Sequence, residues 1–312
     1  MASARGYPTV AIALALAAAF LWATYYLFVL WLAPGTAASA TLVFPFLFGG
    51  LAYSLWAVSR GHGGAWLRLW SSPMAYLRIA LLVGMQVSVL ATTYLAGPVD
   101  SALLSLIGDV VVTPIIVAYL LGIGRAHVHT SLFAAGLLLS VAGGALTIVA
   151  GQSLVGLRTW EWLVVPAVPL TVAFFFLLTA RENQTTAPPA VVGQSMLAAG
   201  LVTVALAPLI PGGWPGLAVA SAEPLLLLAL CGLTSFFVAP AIYFLAIERA
   251  GLIVPPMLMT GIPVFTLVLS AGVLGIALPW IGVAGIPVAV LGAILALRGE
   301  TSNPAPDGAA SN

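Results

Sequence analysis

The chain contains no lysine and a single cysteine, and charged side chains make up only 5% of its 312 residues. A soluble domain carries roughly 25% charged residues. A chain with so few cannot clothe itself in a polar surface, so its solvent is mostly lipid. Without lysine there is no G-x-x-x-x-G-K phosphate loop, which excludes ATP-driven transport by this chain alone. The lone Cys231 excludes an intrachain disulfide and, set in an apolar run, reads as a small buried hydrophobe. The nine arginines are scattered, whereas a phosphate-tracking surface needs clustered basic residues. Nucleic acid is therefore excluded as a partner. His127 and His129 in "GRAHVHT" have no carboxylate or cysteine beside them, so no metal is expected. Glu161, Glu182, Glu223 and Glu248 fall in expected loops, and no nucleophile stands near a base. The pattern is not that of an enzyme and calls for no cofactor.

Long apolar runs such as "AIALALAAAFLWATYYLFVLWL" fill the chain. They are continuous, not alternating as in a membrane β-barrel, and a spanning helix needs about 20 such residues. The expected fold is an all-α integral membrane protein with ten transmembrane helices. Polar or Pro/Gly-rich breaks place the spans at 9–32, 37–58, 75–96, 99–122, 131–151, 162–180, 190–210, 224–247, 252–275 and 280–297. The first run exceeds the apolar core of about 7–15 residues in a signal peptide and reads as a retained helix. With ten spans, Arg5, Arg60, Arg68, Arg78, Arg125, Arg181, Arg249 and Arg298 fall on one side and Arg158 alone on the other. Cytoplasmic segments carry the arginine excess. The expectation is a multi-pass protein of the inner (plasma) membrane with both termini cytoplasmic.

A constant shift of 149 residues superposes the halves: Tyr94 on Tyr243, Pro114 on Pro263, Gly136 on Gly285, Gly143 on Gly292. The unit holds five spans, an odd number, so the second copy enters the membrane from the opposite side, as in inverted-repeat transporters. The expected organisation is residues 1–155 as the first five-helix repeat, 156–297 as the second, and 298–312 as a polar, disordered cytoplasmic tail.

The segment "FLAIERAGLIVPPMLMTGIPVFTLVLSAGVLGIALPWIGVAGIPVAVLGAILAL" resembles the closing part of an EamA-type repeat of the drug/metabolite transporter superfamily. Ala246, Pro263, Leu274, Gly275, Gly285 and Gly292 occupy its pattern, and Trp22 in "LAAAFLWATYY" occupies the tryptophan of its first helix. The chain departs from the pattern at Ile276 and His127, where the family commonly has glutamate, at Arg125-Ala126 in place of leucine-glycine, and in lacking an arginine in "ATLVFPFLFGG". The resemblance implies small-molecule transport, often efflux of amino acids, other metabolites or drugs, through a central cavity.

Asp109 in "SLIGDVVVTPII" lies about 15 Å from the outer end of span four at 1.5 Å rise per residue. An aspartate at such depth costs roughly 2.5–3.5 kcal/mol. At i+4 spacing Ser101, Ser105, Asp109 and Thr113 form one polar stripe, and Pro114 frees a carbonyl near residue 110. That fits a cavity wall; the other reading is a protonated aspartate bonded to a neighbouring helix. Gln86, with its repeat mate Ser235, is a midplane polar candidate. Trp22, Tyr25 and Tyr26, with Tyr94 and Tyr243, form either an aromatic wall or an interfacial belt. The substrate-binding set is therefore Asp109, Gln86, Ser105, Thr113, Trp22, Tyr25, Ser235 and Tyr243. With the one deep charge negative and no arginine at that depth, the expected partner is a small zwitterionic, cationic or neutral substrate, moved by alternating access in the lipid bilayer. Proton exchange at Asp109 would couple it. The alternative is a lipid flippase, or a flippase subunit, of the same fold.

Overall fold

In lipid each backbone N–H and C=O must find its partner within the chain, so apolar runs of this length become helices. The computed structural model describes residues 9–116, 119, 128–151, 164–183, 185–219, 221–250, 255, 258–277 and 279–301. They form α1 (Thr9–Leu32), α2 (Ala38–Ser59), α3 (Gly63–Leu69), α4 (Pro73–Ala96), α5 (Pro98–Ile107), α6 (Thr113–Ile116), α7 (Ser131–Gly151), α8 (Val164–Glu182), α9 (Pro188–Leu206), α10 (Ala222–Cys231), α11 (Ala239–Ala250), α12 (Gly261–Leu274) and α13 (Trp280–Thr301). No strand occurs among the described residues. Five segments, Thr9–Leu32, Ala38–Ser59, Pro73–Ala96, Pro188–Leu209 and Ala222–Ile247, are long and apolar enough to cross a membrane. The protein is thus an all-α, multi-pass membrane protein.

Helix ends follow local chemistry. α4, α5 and α9 each start with proline at the first turn, where the missing N–H is no loss. α9 ends at Leu206, short of the expected 210, because Pro208 lacks the N–H that another α-turn needs. α12 stops at Gly275, whose φ of 66° is left-handed; the Ile276 N–H returns to the Ser270 carbonyl at 3.1 Å. The break between the second and third spans, read as a connection, contains α3. Trp66 anchors it, its indole N–H bonding Ser54 Oγ at 3.1 Å, and Leu69 is buried with Ala190 and Val191. α13 runs to Thr301, beyond the expected 297; residues 302–312 lie outside the described part, as do Arg5, Arg125, His127 and Arg158.

Among the described residues two π-helical stretches are complete, and each precedes a proline. Gly108–Val112 joins α5 to α6, with Pro114 next, and Gly232–Val238 joins α10 to α11, with Pro240 next. Proline removes a donor and clashes with the preceding turn; the wider i→i+5 pattern is how these helices pass it. Gly108 packs on the backbone of Pro169, and Gly232 on that of Pro45.

The helices pack in corresponding pairs. α2 lies against α9 and α7 against α13. α4 packs on α8 as α11 packs on α1, and α6 packs on α8 as α12 packs on α1. The α7–α13 pair is antiparallel and lined by glycine. A Cβ added at Gly136 would stand 2.6 Å from the Gly292 carbonyl oxygen, and one at Gly292 would stand 2.6 Å from that of Gly136. Gly143 and Gly285 oppose each other at the same 2.6 Å. Ser140 Oγ donates to the Ala289 carbonyl at 3.2 Å between them.

Gly143→Val is therefore expected to force α7 and α13 apart and lower stability by about 1–3 kcal/mol, the usual cost of overpacking. Leu138→Val, at a position 70% exposed on the same helix, should be near neutral. Thermal unfolding of the two variants in detergent checks this; equal midpoints would contradict it.

Candidate functional site

α1, α4, α5, α8, α9, α11, α12 and the second π stretch surround one cavity, with about 950 Å³ of empty space counting its open mouth. α1 contributes Trp22, Tyr25 and Tyr26; α4 contributes Leu82, Met85, Gln86 and Val89; α5 contributes Ser105. From α8 and α9 come Val172, Phe175, Phe176, Thr179, Val192 and Met196. Ser235, Phe236, Pro240, Tyr243, Phe244 and Ile262 complete it.

Six of the eight residues chosen from the sequence meet here: Gln86, Ser105, Trp22, Tyr25, Ser235 and Tyr243. The backbones of Asp109 and Thr113 run in the first π stretch and at the start of α6, and their side chains lie outside the described residues. The stripe drawn through them at i+4 spacing is not uniform: α-helical register stops at Ile107, and a π stretch follows. Ser101 of that stripe is fully buried and donates to the Val89 carbonyl at 3.1 Å, tying α5 to α4. Tyr94 is 38% exposed near the end of α4 and does not line the cavity.

The wall has a definite construction. In the second π stretch the Ala239 N–H bonds the Thr234 carbonyl, five residues back. The next residue, Pro240, has no N–H to give the Ser235 carbonyl. Trp22 supplies the donor instead, its Nε1–H reaching that oxygen at 3.0 Å, while Ser235 Oγ donates to the Leu21 carbonyl at 3.1 Å. The two bonds clamp α1 to the π stretch and fix the indole at the cavity edge. Trp22 meets Tyr243 edge-on at 5.3 Å, and Tyr25 meets Phe236 at 5.5 Å. Tyr26 OH bonds Ser105 Oγ at 3.1 Å, and that hydroxyl bonds back to the Ser101 carbonyl at 3.0 Å. Eight aromatic rings thus surround a few neutral polar groups, among them Gln86, whose buried Oε1 has no hydrogen-bond partner among the described residues.

The sequence reading missed a buried polar network beside the cavity, between α4, α8 and α9. It placed no arginine at depth and Glu182 in a loop. Glu182 closes α8, and Arg78, in the second turn of α4, has a side chain with 0% exposure. Arg78 Nε donates to Ser195 Oγ at 2.7 Å and Nη2 to Gln194 Oε1 at 3.1 Å; Nη1 lies 3.8 Å from Glu182 Oε2. Gln194 and Ser195 are themselves 0% and 1% exposed. The network is incomplete among the described residues: Arg78 Nη1, Gln194 Nε2, Asn183 Oδ1 and Thr179 Oγ1 are buried without a hydrogen bond. Each such group costs about 1–3 kcal/mol. A usable signal existed, since Arg78, Glu182, Gln194 and Ser195 all lie within two turns of helix ends. The phenylalanines at 175, 176, 236 and 244 were lost among other apolar residues.

If the cavity admits water, Gln86→Cys and Ser105→Cys should react with a small polar thiol reagent in the folded protein. The native Cys231, 1% exposed, should not. Mass spectrometry reads the adducts; an unlabelled Cys at both positions would mean the cavity is closed to solutes.

No protein-family model and no curated protein matches the chain. Nine chains of solved structures match it. One of them, described only as the crystal structure of a protein, aligns with 92% of this chain and 96% of its own at 17% identity and a TM-score of 0.64. At that identity the likeness is one of fold alone.

Proposed function

We propose that the chain is a secondary transporter of the EamA type in the drug/metabolite transporter superfamily. In this reading ten spans form two inverted five-helix repeats, and a small amphipathic metabolite binds between them and is exported by alternating access. The observation that carries the reading is the cavity: an aromatic-walled chamber inside a bundle of apolar helices, bounded by helices of both halves. Ligand sites in membrane transporters of inverted-repeat design lie at that repeat interface. The paired packing supports the repeat, since α4–α8 and α11–α1, and α6–α8 and α12–α1, correspond under the shift of 149. The reciprocal approaches of Gly136 to Gly292 and Gly143 to Gly285 have the same two-fold sense.

The wall narrows the ligand. Aromatic faces suit cations and apolar groups, and the described lining contains no charged side chain. A zwitterionic, cationic or neutral molecule with an apolar body, an amino acid or a drug, fits it, whereas a sugar phosphate does not. Prolines inside the helices and the two π stretches would give them places to bend as access alternates.

Purified protein in detergent should be stabilised against heat by such a ligand in a concentration-dependent way, by about 2.7 kcal/mol at a hundredfold excess over Kd. A screen of amino acids, organic cations, nucleosides, sugar phosphates and lipids tests this, with Trp22→Ala and Asp109→Asn beside the wild type. The expected hit is an amphipathic amino acid or cation that fails on folded Trp22→Ala; loss on Asp109→Asn as well would place that carboxylate in the site. A response to lipids alone would favour the flippase, and no response to any compound would overturn transport.

A further inference from the structure

The two halves of the chain differ at one pair of corresponding places. Under the shift of 149, Ser235 corresponds to Gln86, Pro240 to Ala91, and Trp22 to Thr171. α4, which carries Gln86 and Ala91, runs as unbroken α-helix from Pro73 to Ala96. Thr171 on α8 donates to its own Ala167 carbonyl at 2.6 Å and meets α4 through Ser88 Oγ at 3.5 Å. In the other half the corresponding span is interrupted by the π stretch Gly232–Val238, and Trp22 supplies the donor that Pro240 lacks. One half thus has a straight rod, and the other a broken span closed by a side chain.

The two sides of that break are held by different helices. α2 holds the near side: Gly232 lies on the Pro45 backbone, and Phe236 meets Phe46 edge-on at 4.9 Å. α1 holds the far side: Ala246 of α11 is buried with Ala15, Ala18 and Ala19, and α12 packs on α1 as well. The bonds from Trp22 Nε1 to the Ser235 carbonyl and from Ser235 Oγ to the Leu21 carbonyl run from α1 to the π stretch. They therefore cross the line about which the span would bend. π-bulges and prolines are where helices kink, and a hinge needs only a few residues that absorb the change. Trp22 also lines the cavity, so whatever occupies the chamber touches the indole that closes the break.

We infer that Gly232–Pro240 is a hinge and Trp22 its latch: with the indole bond made, α1, α11 and α12 are locked to α2, and with it broken they swing as a unit and change access to the cavity. α4 is the stationary counterpart. The inference assigns the moving part of the transport cycle and rests on the transport reading above for its purpose, but its test needs no ligand.

Pro240→Ala supplies the missing N–H, so a double-mutant cycle with Trp22→Phe isolates the latch. Trp22→Phe keeps a ring and removes the indole donor. Both are made in the full chain in detergent carrying Gln86→Cys. The readouts are thermal unfolding and the rate at which a small polar thiol reagent labels that cysteine. With Pro240 present, Trp22→Phe should raise the unfolding constant about fivefold, the worth of one neutral hydrogen bond, and change the labelling rate. The smaller ring alters access equally with or without the proline, so the difference between the two effects reads the latch. The labelling change should be at least about fivefold larger with Pro240 than in Pro240→Ala. Equal effects in the two backgrounds would overturn the proposal. Lowered stability with an unchanged labelling rate would also overturn it, because the clamp would then be structural only. So would a cysteine that is never labelled, since the latch would open nothing. Should Trp22→Phe fail to fold by itself, recovery in Pro240→Ala is the expected result, and failure in both overturns the latch. A latch effect in a protein that no compound of the ligand screen stabilises leaves the hinge standing and overturns transport.

Discussion

Lipid offers no hydrogen bonds, and the architecture follows from that one constraint. It turns the apolar runs into helices and makes each interruption of a helix a local problem with a local solution. The second π stretch is the clearest instance. Pro240 removes a donor, the ladder widens over Gly232–Val238, and the Ser235 carbonyl is taken by the indole of Trp22 from another helix. The same contact that repairs the backbone also holds an aromatic side chain at the cavity edge. Backbone accounting and site building are one event here, and the serine hydroxyl returning to the Leu21 carbonyl makes the clamp reciprocal.

Between helices in lipid there is little hydrophobic drive, because a lipid tail is as apolar as leucine. Close approach and dispersion must hold the bundle together, which explains where glycine is found. Gly136, Gly143, Gly285 and Gly292 let the backbones of α7 and α13 approach closely enough that any side chain would collide with the facing carbonyl. Gly50 and Gly193 serve the α2–α9 contact in the same way. The larger side chains are thereby sent elsewhere, and the interior that remains is lined by the rings of α1, α8 and α11. α2, α7 and α13 stay out of the cavity wall, while α9 packs on α2 and also lines the cavity with Val192 and Met196.

The parts of this arrangement legible in the sequence are those with a one-dimensional signature. Several helix limits could be read because polar or Pro/Gly breaks punctuate the runs: α1 ends at the expected Leu32, α7 starts at the expected Ser131, and α2 begins and ends within one residue of its expected bounds. Gln86 and Ser235 stood out as polar residues in apolar surroundings, and Trp22 by position, and the structure brings the three to one cavity. The i+4 stripe through Asp109 was less legible, because a π stretch changes the helical register and leaves no mark in the sequence beyond the proline after it. α3 was missed for another reason: its Trp66 and Leu69 gain partners only when α2 and α9 are folded beside them.

Arg78 shows why charge counting along a chain is a poor guide to charge in space. An arginine near a helix end on the arginine-rich side reads as a cytoplasmic charge with free access to water, and most such residues here are exposed. Arg78 differs because α8 and α9 cover it. Once covered, it must be compensated, since a buried ion without partners is strongly destabilising. Ser195 and Gln194 satisfy part of the guanidinium, and Glu182 offsets its charge from a distance. A bundle selected for stability alone would do better with an apolar residue there, because a well-packed hydrophobe commonly replaces a buried ion pair at no loss. What the network does achieve is to tie three helices together: Arg78 on α4 reaches Gln194 and Ser195 on α9 and faces Glu182 at the end of α8.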